Sequence, residues 1–181
     1  MSIFIGSFND PTSKKFSGSG AGAKVQCEII NALKIYDNQL ISLVMPEVPS
    51  WPKGDFIQSS SRSAHVSFLP ILNVALLKRI SFFVQVFILV LRNRPRCIYF
   101  YNSSLTSCFF SYIFKSFGCK RIVVLQDIFV PEFNGVGSFF NPIKILNLFY
   151  IKALPFCYDL YLPITDAYIK DLKLPKEYCE I

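Results

Sequence analysis

Short apolar runs alternate with longer amphipathic stretches along this chain, and that alternation restricts the fold more than any single motif. Ile3-Phe4-Ile5, ending at Gly6, reads as a strand, and the polar Gly- and Ser-rich stretch from Asn9 to Gly22 reads as a long loop. From Lys24 to Lys34, Val25, Ile29, Ala32 and Leu33 fall on one face of a helix, with Lys24, Glu28 and Asn31 on the other. Leu40 to Met45, stopped by Pro46, and Val66 to Leu69 are further strands, joined irregularly through Pro49, Trp51, Pro52 and Gly54. Val74 to Arg92 predicts the longest helix, ended by Pro95, because proline disfavours helical backbone in the residue before it. Cys97 to Tyr101 is an apolar run of the kind buried on both faces of a sheet. Ser103 is placed to cap a helix that runs to Phe117 and closes at Gly118. Arg121 to Leu125 is another buried strand, and Asn141-Pro142 opens a helix that reaches about Leu154. Tyr158 to Thr165 is a last strand before a short helix from Asp166 to Leu172.

Strand and helix thus alternate at least five times, which predicts an α/β fold with a doubly wound, mostly parallel sheet and helices on both faces. The 181 residues suit a single domain, and a hydrophobic content of 52% with 17% charged residues excludes a disordered chain. In such sheets ligands bind beyond the carboxyl ends of the strands, so segments 9–22, 102–104, 127–138 and 165–166 are expected along one edge.

The net charge of +7 is unevenly placed. Phe56 to Gln126 contains no Asp or Glu, yet carries Arg62, Lys78, Arg79, Arg92, Arg94, Arg96, Lys115, Lys120 and Arg121. Nucleic acid, a membrane surface and a phosphorylated small molecule are the partners such a stretch suggests. No helix-turn-helix, aromatic-sheet or zinc-finger signature accompanies it, so no nucleic-acid partner is expected. Lys120, Arg121 and the Arg92 to Arg96 group precede strands and also read as solvated turn residues. Membrane contact is expected at Lys144 and Lys152, which stand beside Leu148 and Ile151 on a helix apolar all round; burial of that helix against the sheet is the competing reading. No apolar run reaches the roughly 20 residues that span a bilayer, and Met1 to Phe8 lacks the pattern of a secretory signal, so a cytoplasmic location is expected. The six cysteines are widely spaced and read as reduced, mostly buried thiols, with no metal site.

Several residues carry candidate chemistry. In Ser17-Gly18-Ser19-Gly20-Ala21-Gly22-Ala23-Lys24, glycines before a helix let backbone N–H groups approach a phosphate or sugar, although a plain surface loop has the same composition. The spacing fits neither a P-loop nor a dinucleotide fingerprint. His65, the sole histidine, lies in a Ser-rich stretch and reads as a surface residue with no chemical task. Asp127 and Glu132 follow an apolar strand; either supplies a carboxylate general base, Asp127 first, or caps Lys120, Arg121 or a helix start. Asn102, Ser103 and Ser104, and likewise Thr165 and Asp166, sit at strand ends where side chains contact a ligand or cap a helix.

The opening strand, the loop Gly18 to Lys24, the run Arg94-Pro95-Arg96-Cys97-Ile98-Tyr99-Phe100-Tyr101-Asn102, the strand before Asp127 and the ending Pro163-Ile164-Thr165-Asp166 together resemble the amino-terminal domain of family 4 glycosyltransferases. The resemblance implies a Rossmann-like domain, one half of a GT-B fold, occupying residues 1–181, with the donor-binding carboxy-terminal domain absent. It implies an acceptor-binding role in a hexosyltransferase of polysaccharide biosynthesis, peripheral at the inner face of the membrane and inactive without a second domain or partner chain. The Gly18, Gly20, Gly22 and Lys24 loop would face donor phosphates and acceptor, Asn102, Ser103, Thr165 and Asp166 would line the acceptor side, and Asp127 and Glu132 would be catalytic. Nucleotide-sugar and a saccharide or lipid-linked acceptor are the implied substrates, with no cofactor and no metal. The sequence departs from the family in having Asn102 and Asp127 where many members carry a histidine, which leaves the base open. The alternative from another class is a non-catalytic membrane-recruiting or scaffolding subunit for a partner enzyme.

Overall fold

A computed structural model describes residues 1–8, 20–58, 60–62, 66–75, 77–126, 142–163, 169 and 174–179. The chain opens with β1 (Ser2–Phe8), whose alternation sends Ile3 and Ile5 to one face of the sheet and Phe4 and Phe8 to the other. This strand continues through Gly6 instead of stopping there. Helix α1 (Gly20–Tyr36) follows and leads to β2 (Ile41–Pro46), which pairs with β1 in parallel register, Ile3 opposite Ile41.

The irregular connection expected after Pro46 holds four two-residue strands: β3 (Ile57–Gln58), β4 (Ser61–Arg62), β5 (Ser67–Phe68) and β6 (Ile71–Leu72). β5 joins β2 in parallel and β4 adds an antiparallel edge, whereas β3 and β6 form a separate antiparallel pair. Asn73, fully buried, anchors this region by donating from Nδ2 to the carbonyls of Pro49 and Asp55, each at 2.8 Å.

The remainder is regular: α2 (Leu77–Asn93), β7 (Cys97–Tyr101), α3 (Leu105–Lys115), β8 (Lys120–Leu125), α4 (Pro142–Cys157) and β9 (Leu160–Pro163). The main sheet runs β4-β5-β2-β1-β7-β8-β9, so the order of winding reverses between β1 and β7. Right-handed crossovers then place α1 on one face and α2, α3 and α4 on the other. Two cores result, one of Ile3, Ile5, Ile98, Phe100 and Val123 under α2 to α4, the other of Phe4, Val44, Phe68 and Ile30 under α1. This is the doubly wound, Rossmann-like α/β fold with helices on both faces that the alternation predicts.

Five local expectations are corrected. Helix α1 buries Gln26 and Ile30 and packs Cys27, Ile29 and Leu33 beside them; of the expected stripe Val25, Ile29, Ala32 and Leu33, Ile29 and Leu33 thus face the core while Ala32 is exposed, so the inner face is rotated toward Gln26 and Ile30. Strand β7 alternates half-buried and buried residues instead of being buried on both faces, because α1 is the one described helix on the side of Tyr99 and Tyr101. The cap of α3 is Ser104, not Ser103: its side chain accepts from the Ser107 N–H while the Ser107 hydroxyl accepts from the Ser104 N–H. Arg121 is not a solvated turn residue. It is 1% exposed, its Nε donates to Asp159 Oδ2 at 2.9 Å and Nη2 reaches Oδ1, so Asp159 answers its charge. Helix α3 also ends before the expected Phe117, at Lys115 with Ser116 as its C-cap, and Gly118, with φ of +73°, a conformation glycine adopts without cost, follows in the turn beyond it.

Candidate functional site

The reversal of winding between β1 and β7 leaves a gap at their carboxyl ends, since their following segments leave toward opposite faces. A cleft of about 270 Å³ fills that gap. Ile5, Gly6 and Ser7 of β1 and Met45 of β2 form one wall, and Phe82, Phe83 and Phe100 form an apolar floor. The opposite wall is polar: Asn102, then Ser103, Ser104 and Ser107 at the amino end of α3. Arg79, exposed in the first turn of α2, supplies the cation.

Each wall is held from behind. Gln26 of α1, 2% exposed, accepts from the Ser7 N–H at 3.0 Å and donates to the Ser7 carbonyl at 2.7 Å, completing the backbone pairing of the last residues of β1. A Cβ at Gly6 would collide with Gln26 Oε1 and the Phe4 ring, so this close approach of helix to strand requires glycine. The Ser7 hydroxyl donates to Glu47 Oε1 at 2.6 Å, bringing a carboxylate to the same edge. On the other side, Asn102 takes a left-handed conformation, φ +56°, which asparagine tolerates. Its N–H donates to Val124 O and its Oδ1 accepts from the Gln126 N–H, both at 2.8 Å, tying the end of β7 to the end of β8.

Beneath the serines lies Tyr158, whose hydroxyl shares hydrogen bonds with Ser103 Oγ at 2.9 Å and Ser107 Oγ at 3.1 Å. Burial pushes its phenol well above the ordinary range, so it stays protonated and orients both serine hydroxyls. Cys108 lies 3.4 Å from Ser103 Oγ and contacts Cys157, whose thiol is pushed up by its hydrogen bond to Cys108 and by burial. All six cysteines are free thiols, three of them buried and three half-buried.

The expected site residues separate accordingly. Asn102 and Ser103 come together in the cleft. Gly20 and Gly22 belong to the first turn of α1 and not to a loop, Lys24 is exposed on that helix, and none of the three lines the cleft. Gly18, His65, Asp127, Glu132, Thr165 and Asp166 lie outside the described residues, as does the side chain of Lys144. Lys152 is exposed on α4, while Ile151 packs against the core. Among the described residues no cluster of His, Cys, Asp or Glu has metal-binding geometry, and no helix is long and apolar enough to cross a membrane.

Gly6, Ser7, Gln26, Arg79 and Ser107 are cleft or supporting residues that local sequence patterns do not single out. The available signal was Gln26 itself, a polar residue one helical turn before Ile30 on the buried face.

No family model and no curated protein matches the sequence. Solved structures do share the fold. UDP-N-acetylglucosamine 2-epimerase from Rickettsia bellii is similar with a TM-score of 0.56 at 13% identity, over 98% of this chain and 43% of that one. Sucrose-phosphate synthase from Thermosynechococcus elongatus is similar with a TM-score of 0.54 at 10% identity, over 94% of this chain and 81% of that one. This chain therefore spans less than half the length of the epimerase chain. At these identities the likeness concerns the fold: both neighbours share its Rossmann-like architecture.

Proposed function

We propose that this domain is the acceptor-binding half of a glycosyltransferase that moves a sugar from a nucleotide-sugar donor to a saccharide or lipid-linked acceptor. The observation that carries this reading is the switch-point cleft, whose aromatic floor and hydroxyl-lined wall suit the two chemical sides of a sugar. Two neighbours of the same fold are named for work on sugar compounds, which supports the reading at the level of scaffold.

In this proposal Ser103, Ser104 and Ser107 orient acceptor hydroxyls, with Tyr158 fixing their rotamers from behind. Arg79 and the amino end of α3 attract an anionic group, a phosphate on donor or acceptor. Asp127, two residues past the end of β8, is the proposed base, with Glu132 second; Glu47, held by Ser7, is a further carboxylate at that edge. The Gly18 to Lys24 segment, Thr165 and Asp166 complete the proposed contacts with donor and acceptor. The groups that stabilise the leaving diphosphate belong to a second domain or a partner chain, and the scheme uses no metal.

The test is an NMR titration of residues 1–181 with UDP-N-acetylglucosamine and with simple saccharides and sugar phosphates, followed by a sugar-transfer assay with and without a donor-binding half. Shifts centred on Ser103, Ser104, Ser107 and Arg79, with no turnover by this chain alone, are expected. Substantial transfer by residues 1–181 alone, or binding that bypasses the cleft, would sink the proposal.

A further inference from the structure

Two of the buried thiols meet directly under the polar wall of the cleft. Cys108, 3% exposed, sits on α3 one turn before Ser111, so both face α4. There the Ser111 hydroxyl donates to the carbonyl of Cys157, the last residue of α4, and fixes its backbone against that face. Cys157, 6% exposed, donates from Sγ to Ala153 O at 3.1 Å and lies within hydrogen-bonding reach of Cys108 Sγ. Cys108 Sγ also lies 3.4 Å from Ser103 Oγ, and the Tyr158 hydroxyl is a further donor to it. Ser103 is half-buried and lines the cleft, so one side chain separates Cys108 from the open site.

These contacts set the two sulfurs apart. The hydrogen bond from Cys157, with Ser103 and Tyr158 acting the same way, outweighs burial and holds the Cys108 thiol below its ordinary value. Cys27, Cys97, Cys119 and Cys179 are pushed up by burial, and Cys157 by its bond to Cys108 and by burial. A sulfur inclined to the thiolate beside a second thiol is the arrangement in which oxidation runs on to a disulfide. We infer that Cys108 and Cys157 form an oxidisable pair beneath the cleft, Cys108 attacking hydrogen peroxide and Cys157 resolving the product. In the first step the Cys108 thiolate attacks one peroxide oxygen: an S–O bond forms, the O–O bond breaks, and the departing hydroxide takes up a proton as water. In the second, Cys157 gives up its proton and attacks the Cys108 sulfur: the S–S bond forms, the S–O bond breaks, and hydroxide leaves with that proton as water. The thiols lose two electrons and two protons in all, and the peroxide gains them. The Arg121 guanidinium, which reaches Ser111 O, favours the Cys157 thiolate that the second step requires. Joining the sulfurs at about 2.05 Å leaves Ser103 facing a disulfide sulfur, a weak acceptor, so its hydroxyl turns to other partners in the cleft wall.

Mass spectrometry of residues 1–181 treated with hydrogen peroxide tests the pair without donor, acceptor or turnover, so its result is independent of the sugar-transfer reading. The six free thiols, counted after unfolding, should fall by two on treatment and be restored by dithiothreitol. Peptide mapping should place the link between Cys108 and Cys157, and the amide signals of Ser103, Ser104 and Ser107 should shift on oxidation. Cys157→Ser should instead hold Cys108 as a sulfenic acid that dimedone captures, and Cys108→Ser should keep its remaining thiols. Mapping of the wild-type chain needs no substitution, so it decides the question whether or not a variant folds. All thiols retained under peroxide that converts glutathione to its disulfide, a link between other cysteines, or thiol loss undiminished in Cys108→Ser overturns the proposal. So does a link that forms in denaturant and not in the folded chain, since it would owe nothing to the packing of α3 on α4.

Discussion

The two ends of the parallel sheet are built from the same kinds of residue and do opposite things. At the amino end of β8, Arg121 is sealed from water and closed in by both carboxylate oxygens of Asp159, with Ser111 O accepting a further, longer bond from Nη1. At the carboxyl ends of β1 and β7, Arg79 stands in solvent beside a cleft that is also lined by the half-buried Ser103 and Ser104. A buried cation must be answered within the fold, since its desolvation is repaid by nothing else. An exposed cation at an open switch point keeps its charge for something that is not part of the chain. The difference separates a buried clamp from an open cation, although both are arginines.

That comparison breaks most sharply at Asp159. Replacing it with alanine strands Arg121 in the core and should cost roughly 2–3 kcal/mol in chemical denaturation, somewhat below the usual cost of breaking a fully buried pair because Asp159 is itself partly solvated. Ligand affinity of the folded fraction should not change. The same clamp sets an acid limit. Burial pushes the Asp159 carboxyl up, but hydrogen bonds and charge from Arg121 outweigh it and hold the group below its ordinary value. Its contribution is therefore complete above the ordinary carboxylate range and disappears as pH falls through the lowered folded value. An acid titration should show wild type losing stability over that interval, and Asp159→Asn should lack this component.

At the cleft end, Gly6→Ala should cost about 1–3 kcal/mol, because the new methyl group must displace Gln26 from the Ser7 backbone. Gln26→Ala, which removes the obstacle together with the hydrogen bonds, should make the Gly6→Ala change less costly, a coupling readable in a double-mutant cycle. Ser104→Ala removes the cap of α3 and should cost about 1 kcal/mol. Arg79→Gln closes the series with the smallest effect on folding, within about 0.5 kcal/mol for an exposed residue. It should nonetheless weaken binding of a sugar phosphate on the order of tenfold by titration calorimetry, as expected for one charge-assisted contact. Equal losses of stability at Arg79 and Arg121 would erase the distinction between the two ends.

Much of the fold was legible in the residues. β7, from Cys97 to Tyr101, has the limits its apolar run implies, and β8 differs only in starting at Lys120. Pro142 marks a helix start where its backbone preference puts it, whereas Gly118 takes up the turn beyond α3, whose end at Lys115 comes two residues before the expected Phe117. Of the four two-residue strands between Ile57 and Leu72, β5 lies inside the strand expected from Val66 to Leu69, but β3, β4 and β6 were not legible, because pieces that short carry no periodicity and exist only through their partners. The choice between Ser103 and Ser104 as cap was equally invisible: both are serines, and Tyr158, far along the chain, takes Ser103 for the cleft. Arg121 looked like a turn residue for the same reason, since Asp159, which makes its burial tolerable, lies on the far side of α4 in sequence.

By itself, then, the sequence determined the layers of this protein. Hydrophobic period and helix punctuation are local properties, and they suffice to make strands and helices alternate and hence to wind a parallel sheet with helices on both faces. Only the tertiary structure decided where that sheet opens and which side chains meet there. The cleft exists because β1 and β7 become neighbours although α1, β2, α2 and the segments between separate them in the chain, and no local pattern encodes such a pairing. It likewise decided that one arginine is a buried clamp and another an open contact, because desolvation depends on what packs around a charge and not on the residues beside it in the chain.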